Sequence, residues 1–129
     1  MKTTSALALC MLLSGGAAGA LAQAPCAGQF RPNVTVNMKP DGTAAPPTAC
    51  VARKGTVTFC STKTDDLTAD FGKQSPFVSG STQVRANRTC APAETVTTCR
   101  VAGGCRHSYT VRRAGAAAGD PDIIVEEEP

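Results

Sequence analysis

The chain has 129 residues, 42% of them hydrophobic, with 13 Lys and Arg against 10 Asp and Glu for a net charge of +3. A chain of that length holds one domain with a modest core, for which covalent cross-links are a natural supplement. A single histidine and no tryptophan exclude a multi-histidine metal centre and argue against an aromatic sugar-stacking platform.

Residues 1–22 form the first element. Lys2 supplies a positive start, Ala6 to Leu13 an apolar core, and Ala20-Leu21-Ala22 a small-x-small exit, which is the order of a secretory signal peptide cut after Ala22. The apolar core is too short to span a bilayer, which takes roughly 20 residues. The mature chain, 23–129, is therefore expected to be one exported domain without a transmembrane segment, placed in the periplasm or outside the cell. Of the seven cysteines, Cys10 leaves with the signal, and Cys26, Cys50, Cys60, Cys90, Cys99 and Cys105 remain. An even count in a small exported chain favours disulfides over free thiols. Their pairing stays open. Cys99 and Cys105 enclose a Gly-Gly loop that a local bridge would close. A hairpin at Lys54-Gly55 would set Cys50 against Cys60 and leave Cys26 for Cys90.

Strand patterns follow almost throughout. Val34 to Met38 alternates apolar and polar residues, as a half-buried strand should, and Lys39-Pro40-Asp41-Gly42 ends it with turn residues. Ala44 to Pro47 reads as a loop. Cys50 to Ala52 leads into a turn at Arg53-Lys54-Gly55, and Thr56 to Cys60 forms a strand with Val57 and Phe59 on one face. After a polar loop over 61–66, Leu67 to Phe71 alternates again. Ser75-Pro76-Phe77 and Ser79-Gly80-Ser81 punctuate the chain before strands at Thr82–Ala86, Thr95–Cys99 and His107–Arg112. Ala114 to Gly119 reads as a Gly/Ala linker, and Asp122 to Glu126 as the last strand. Seven or eight short strands with regular turns and no helix predict an all-β, disulfide-stabilised β-sandwich. Phe59, Phe71 and Tyr109 are its core candidates.

Two segments carry a family resemblance. Thr48 to Cys60, with Lys54-Gly55 before Val57-Thr58-Phe59, resembles a cupredoxin segment. Cys99 to Val111 resembles the last hairpin of that fold, where copper cupredoxins place a Cys, His and Met ligand loop. The ending Asp120 to Val125 is similar to that of exported bacterial proteins with cupredoxin-like sandwiches. The resemblance implies a Greek-key sandwich. It does not carry copper over, because a blue-copper site needs two His and a Cys thiolate and this chain has only His107, with no Met after it.

No other constellation supplies chemistry. Cys105-x-His107 lacks further ligands, and zinc-type Cys pairs at two-residue spacing are absent. Nucleophilic catalysis needs a base beside the nucleophile, and His107 has no Gly-x-Ser-x-Gly elbow to serve. Asp65, Asp66 and Asp70 read as solvated carboxylates. Asn33-Val34-Thr35 and Asn87-Arg88-Thr89 match the glycosylation sequon. No enzyme activity and no cofactor are expected.

Charge is the remaining signal. Five acids, Asp120, Asp122, Glu126, Glu127 and Glu128, fall in the last ten residues, so the mature body up to Gly119 carries 12 basic and five acidic residues. Such a body either meets an anionic partner or is neutralised by its own tail. Glu126 to Glu128 reads as a solubilising or frayed end. Arg85, Arg88, Arg100, Arg106, Arg112 and Arg113 are the anion-binding candidates, with Arg106, Arg112 and Arg113 expected around one hairpin. The lack of interleaved aromatics argues against nucleic acid, leaving an anionic surface or another exported protein. The reading is a non-enzymatic binding or structural module without copper. The alternatives are a copper- or zinc-handling protein and a secreted enzyme inhibitor presenting Asp65–Ser75 or Ala102–His107.

Overall fold

The computed structural model describes residues 25–62, 65–114 and 116–129. The expected signal peptide lies outside them. Ten strands follow in chain order: β1 Arg31–Met38, β2 Ala44–Ala45, β3 Thr48–Cys60, β4 Asp66–Asp70, β5 Gln83–Asn87, β6 Glu94–Thr95, β7 Cys105–Ser108, β8 Thr110–Arg113, β9 Ala116–Ala118 and β10 Asp122–Val125. There is no helix among the described residues, so none is long and apolar enough to cross a membrane. The fold class is as expected, an all-β sandwich of two sheets braced by three disulfides.

The first sheet runs β2-β1-β3-β10-β7, with β6 added to β3; the second runs β5-β4-β8-β9. Strand β3 organises the first. Its residues 48–51 pair in parallel with β10, and its residues 56–60 pair in parallel with β1. Between those stretches the expected hairpin does not form. Arg31 faces Val51 while Asn33 faces Thr56, so the extra residues of β3 bulge out and the strand continues in its original direction. Lys54, at φ 61°, takes the left-handed conformation inside this bulge. Gly55 follows because a Cβ there would lie 2.7 Å from the carbonyl oxygens of both Ala52 and Pro32.

The missing hairpin corrects the cysteine pairing. Cys50 and Cys60 lie at opposite ends of one extended strand, too far apart to bridge. The disulfides are Cys26–Cys50, Cys60–Cys90 and Cys99–Cys105. Only the local Cys99–Cys105 expectation holds. The first bridge ties the N-terminal turn to β3, and the second ties the end of β3 to the segment leaving β5. Their ends are 24 and 30 residues apart in sequence, so loop-closure entropy gives each roughly 3–4 kcal/mol.

The sheets meet through alternating side chains. Val57 and Phe59 from β3, Leu67 and Ala69 from β4, Val84 and Ala86 from β5, and Val111 from β8 all point into one core. At its centre Phe59 stands edge-on to Phe71, Phe77 and Tyr109, with ring centroids 6.2, 6.1 and 5.6 Å away. Such pairs add about 0.5–1.5 kcal/mol each beyond area burial. Phe59, Phe71 and Tyr109 are buried as expected. Phe77 joins them although its Ser-Pro context reads as punctuation, because it bridges to Val96 and turns its ring inward.

Four further segments differ from expectation. Ala44–Pro47, expected as a loop, contains β2, which pairs with β1, and of the expected strand Thr95–Cys99 only Thr95 lies in a strand, with Val96 and Cys99 in isolated bridges. The stretch 107–112 is not one strand. The chain leaves the first sheet after Ser108, turns at buried Tyr109, whose amide donates to the Pro121 carbonyl at 2.9 Å, and enters the second sheet at Thr110. The 114–119 linker contains β9, which pairs with β8. Gly119 is needed at its exit: φ is +74° and a Cβ would collide with the backbone of Gly42.

Candidate anion-binding face

Strands β5, β4 and β8 expose alternate residues on the outer face of the second sheet. Val84 and Ala86 turn inward, so Gln83, Arg85 and Asn87 turn outward. Leu67 and Ala69 likewise leave Asp66, Thr68 and Asp70 outside. The registers place Thr68 directly opposite Arg85 on one side and Arg112 on the other. The period of two, combined with antiparallel pairing, thus sets two arginines on either side of one threonine.

Carboxylates position three of the four arginines on this face. Arg112 donates from Nε to Asp70 Oδ2 at 2.7 Å, Arg113 lies 3.5 Å from Asp65, and Arg88 Nε lies 3.8 Å from Asp66. Arg85 has no ion pair among the described residues. The Gly72 amide and the Arg112 guanidinium, in that order, hold the Asp70 carboxyl below the usual carboxylate range. Above the sheet is a cleft of about 650 Å³ lined by Asp65, Asp66, Thr68, Gln83, Arg85, Arg88, Arg112, Arg113 and Ala114. An ion pair does not consume an arginine, since each guanidinium has five N–H donors. The carboxylates fix where the remaining donors point.

Four of the six arginines singled out from sequence therefore come together. Arg106 does not, because the sheet switch at Tyr109 puts it on β7, where it pairs with buried Asp122 at 3.2 Å. Arg100 lies beside Glu128 and Pro129. Thr68 and Gln83 join the site without a motif of their own, and Asp65, Asp66 and Asp70 anchor guanidiniums instead of standing as solvated charges. The alternation over 67–70 and 83–87 was the available signal, but only strand register shows which residues face each other.

The acidic end is not frayed. The Glu128 amide donates to the Cys99 carbonyl at 2.8 Å, the Glu126 amide to Val51 at 2.8 Å, and the Glu126 carboxylate sits 3.5 Å from Arg53. These contacts hold the tail against the first sheet, away from the arginine cleft.

A copper site does not fit the residues present. The Cys105 sulfur is bonded to Cys99, so it offers no thiolate. His107, half-buried on β7 opposite Ile123, binds its proton less tightly because of that burial. Among the described residues no three His, Cys, Asp or Glu side chains gather as a metal-ligating group.

No protein-family model and no curated protein matches the chain. Among solved structures, the reduced Cu(I) form of an amicyanin mutant at pH 4 aligns with 74% of this chain and 84% of that one, at 14% identity and a TM-score of 0.44. Likeness at that level assigns no role to any residue here.

Proposed function

We propose that this chain is an exported, non-enzymatic β-sandwich that binds an anionic partner, without copper. The observation that carries the reading is the separation of charge between the sheets. Arg85, Arg88, Arg112 and Arg113 share one cleft on the second sheet, while Glu126 and Glu128 are held on the first. Tail neutralisation, the competing account of the basic body, is met elsewhere: Asp122 and Glu126 pair with Arg106 and Arg53, and no acid of the last ten residues lines the cleft. Three disulfides support an oxidising compartment. A non-enzymatic role is supported by the position of His107, the one histidine, on the first sheet away from the cleft.

The test is salt elution from an immobilised polyanion such as polyglutamate. Replacing Arg85, Arg88 and Arg112 with Gln is expected to lower the elution salt well below that of a variant replacing Arg53, Arg100 and Arg106, although both lose the same charge. Equal shifts would mean that net charge alone drives retention, and would falsify the reading.

One observation favours an inhibitor as a second reading. Cys99–Cys105 closes a short loop, and Val101 on it is 59% exposed. A rigid loop with an exposed apolar residue suits a protease pocket that accepts small aliphatic side chains. Undiminished elastase-type activity at a molar excess of the protein excludes it. The other expected inhibitor segment, 65–75, does not qualify, because β4 occupies 66–70 inside the second sheet.

A further inference from the structure

Resting on the anion-binding reading, we propose that the cleft over Thr68 takes a soluble phosphate monoester, gripped between Arg85 and Arg112. The two arginines face Thr68 from opposite strands, so their backbones stand about 10 Å apart, twice the interstrand spacing. Arginine side chains on either side of that gap are long enough to close on one tetrahedral group above the threonine.

The donors are present and oriented. Arg112 is anchored to Asp70 through Nε, which leaves its two terminal amino groups for a ligand. The Arg85 side chain makes no hydrogen bond or ion pair among the described residues, and neither does the hydroxyl of half-buried Thr68, the residue between them. A guanidinium fork matches two oxygens of a phosphate group at once.

The guanidinium forks select the class of oxyanion. Asp65 and Asp66 line the cleft with the four arginines and Asp70 pairs with Arg112, so one positive charge, that of Arg85, is uncompensated. Two forks closing on one group ask for more than the two oxygens a carboxylate has, and a phosphate monoester, with about two negative charges at neutral pH, draws two guanidiniums more strongly than a singly charged sulfate ester. The volume of about 650 Å³ exceeds what a phosphate alone fills and lies in the small-molecule range, so the group bearing the phosphate has room. The exposed large apolar residues, Val78 and Val101, lie outside the cleft lining. Nothing apolar at the rim would enter a bilayer, which favours a ligand free in solution over a lipid headgroup.

Calorimetric titration of the full disulfide-bonded protein at low salt tests this, with glucose 1-phosphate, glucose 6-sulfate and gluconate as probes. Glucose 1-phosphate is expected to bind one to one, at least about tenfold tighter than the other two. Arg85→Gln and Arg112→Gln are each expected to weaken it about tenfold or more, as loss of a charged hydrogen-bonding partner does. Arg106→Gln, on the other sheet, is expected to leave it unchanged, and circular dichroism melts confirm that each variant folds. Equal affinity for the three probes overturns the phosphate assignment, and phosphate binding indifferent to Arg85 overturns the location. Binding to phosphatidic acid vesicles without binding to glucose 1-phosphate overturns the soluble ligand. If polyanion retention depends on Arg85 and Arg112 while glucose 1-phosphate does not bind, this inference fails and the broader reading stands. If neither binds, both fail.

Discussion

Arg112 on β8 reaches diagonally across the strand pair to Asp70 on β4, closing at 2.7 Å between Nε and Oδ2. The Gly72 amide donates to the other carboxylate oxygen at 2.9 Å. Asp70 is thereby bound from two sides, and the outer face of the second sheet gains a fixed guanidinium.

This pair predicts a pH signature. The folded-state proton affinity of Asp70 is lowered from the ordinary value of 3.8. Its contribution is therefore present above that value and is lost as pH falls through the folded one. Asp70→Asn should lower stability at pH 7 by about 0.2–1 kcal/mol, the range for solvent-exposed pairs. The deficit should shrink as the pH falls below 3.8. Urea midpoints for both proteins across the acid range check this, and a deficit independent of pH would contradict it.

Non-reducing peptide mapping should recover Cys26–Cys50, Cys60–Cys90 and Cys99–Cys105, with no free thiol among these six under denaturing conditions. Free thiols would reopen the metal-handling alternative. Replacing Cys60 and Cys90 together with Ala should cost roughly 3 kcal/mol, read from the denaturation midpoint, because the loop between them is long.

Tyr109 is 2% exposed, and its hydroxyl has no hydrogen-bond partner among the described residues. Burial, then the nearby Asp122 carboxylate, raises its pKa far above the usual phenol value. Tyr109→Phe keeps the ring contacts and removes an unsatisfied polar group, so it should raise stability by about 1 kcal/mol. Tyr109→Ala should cost about 3–5 kcal/mol through lost packing. Thermal melts of the two variants should move in opposite directions.

Gly55→Ala should destabilise by about 1–3 kcal/mol, since the added methyl would lie 2.7 Å from the backbone carbonyl oxygens of both Ala52 and Pro32. A change below about 0.5 kcal/mol in the midpoint would mean that the bulge is looser than these distances require.

Much of the fold is legible in local patterns. Val57 and Phe59, Leu67 and Ala69, and Val84 and Ala86 alternate with polar neighbours and all reach the core. Failures came where a local cue met a distant contact. Lys54-Gly55 carries a turn's composition, yet pairing with β1 on one side and β10 on the other keeps β3 running straight on. Phe77 looks like loop, yet its bridge to Val96 draws it inward. Glu126 to Glu128 looks like a frayed end, yet Cys99 and Val51 hold its backbone.

The all-β class, the core aromatics Phe59, Phe71 and Tyr109, and an even set of cysteines for bridging follow from the order of residues alone. These depend on composition and on a side-chain period of two, which a strand imposes whatever its neighbours. Which cysteines pair and which arginines share a surface depends on how the strands assemble. Arg106 and Arg112 are six residues apart, yet the chain changes sheets between them at Tyr109, which sends one to Asp122 and the other to the cleft. That choice rests on hydrogen bonding to strands far away in sequence, and no local pattern of residues carries it.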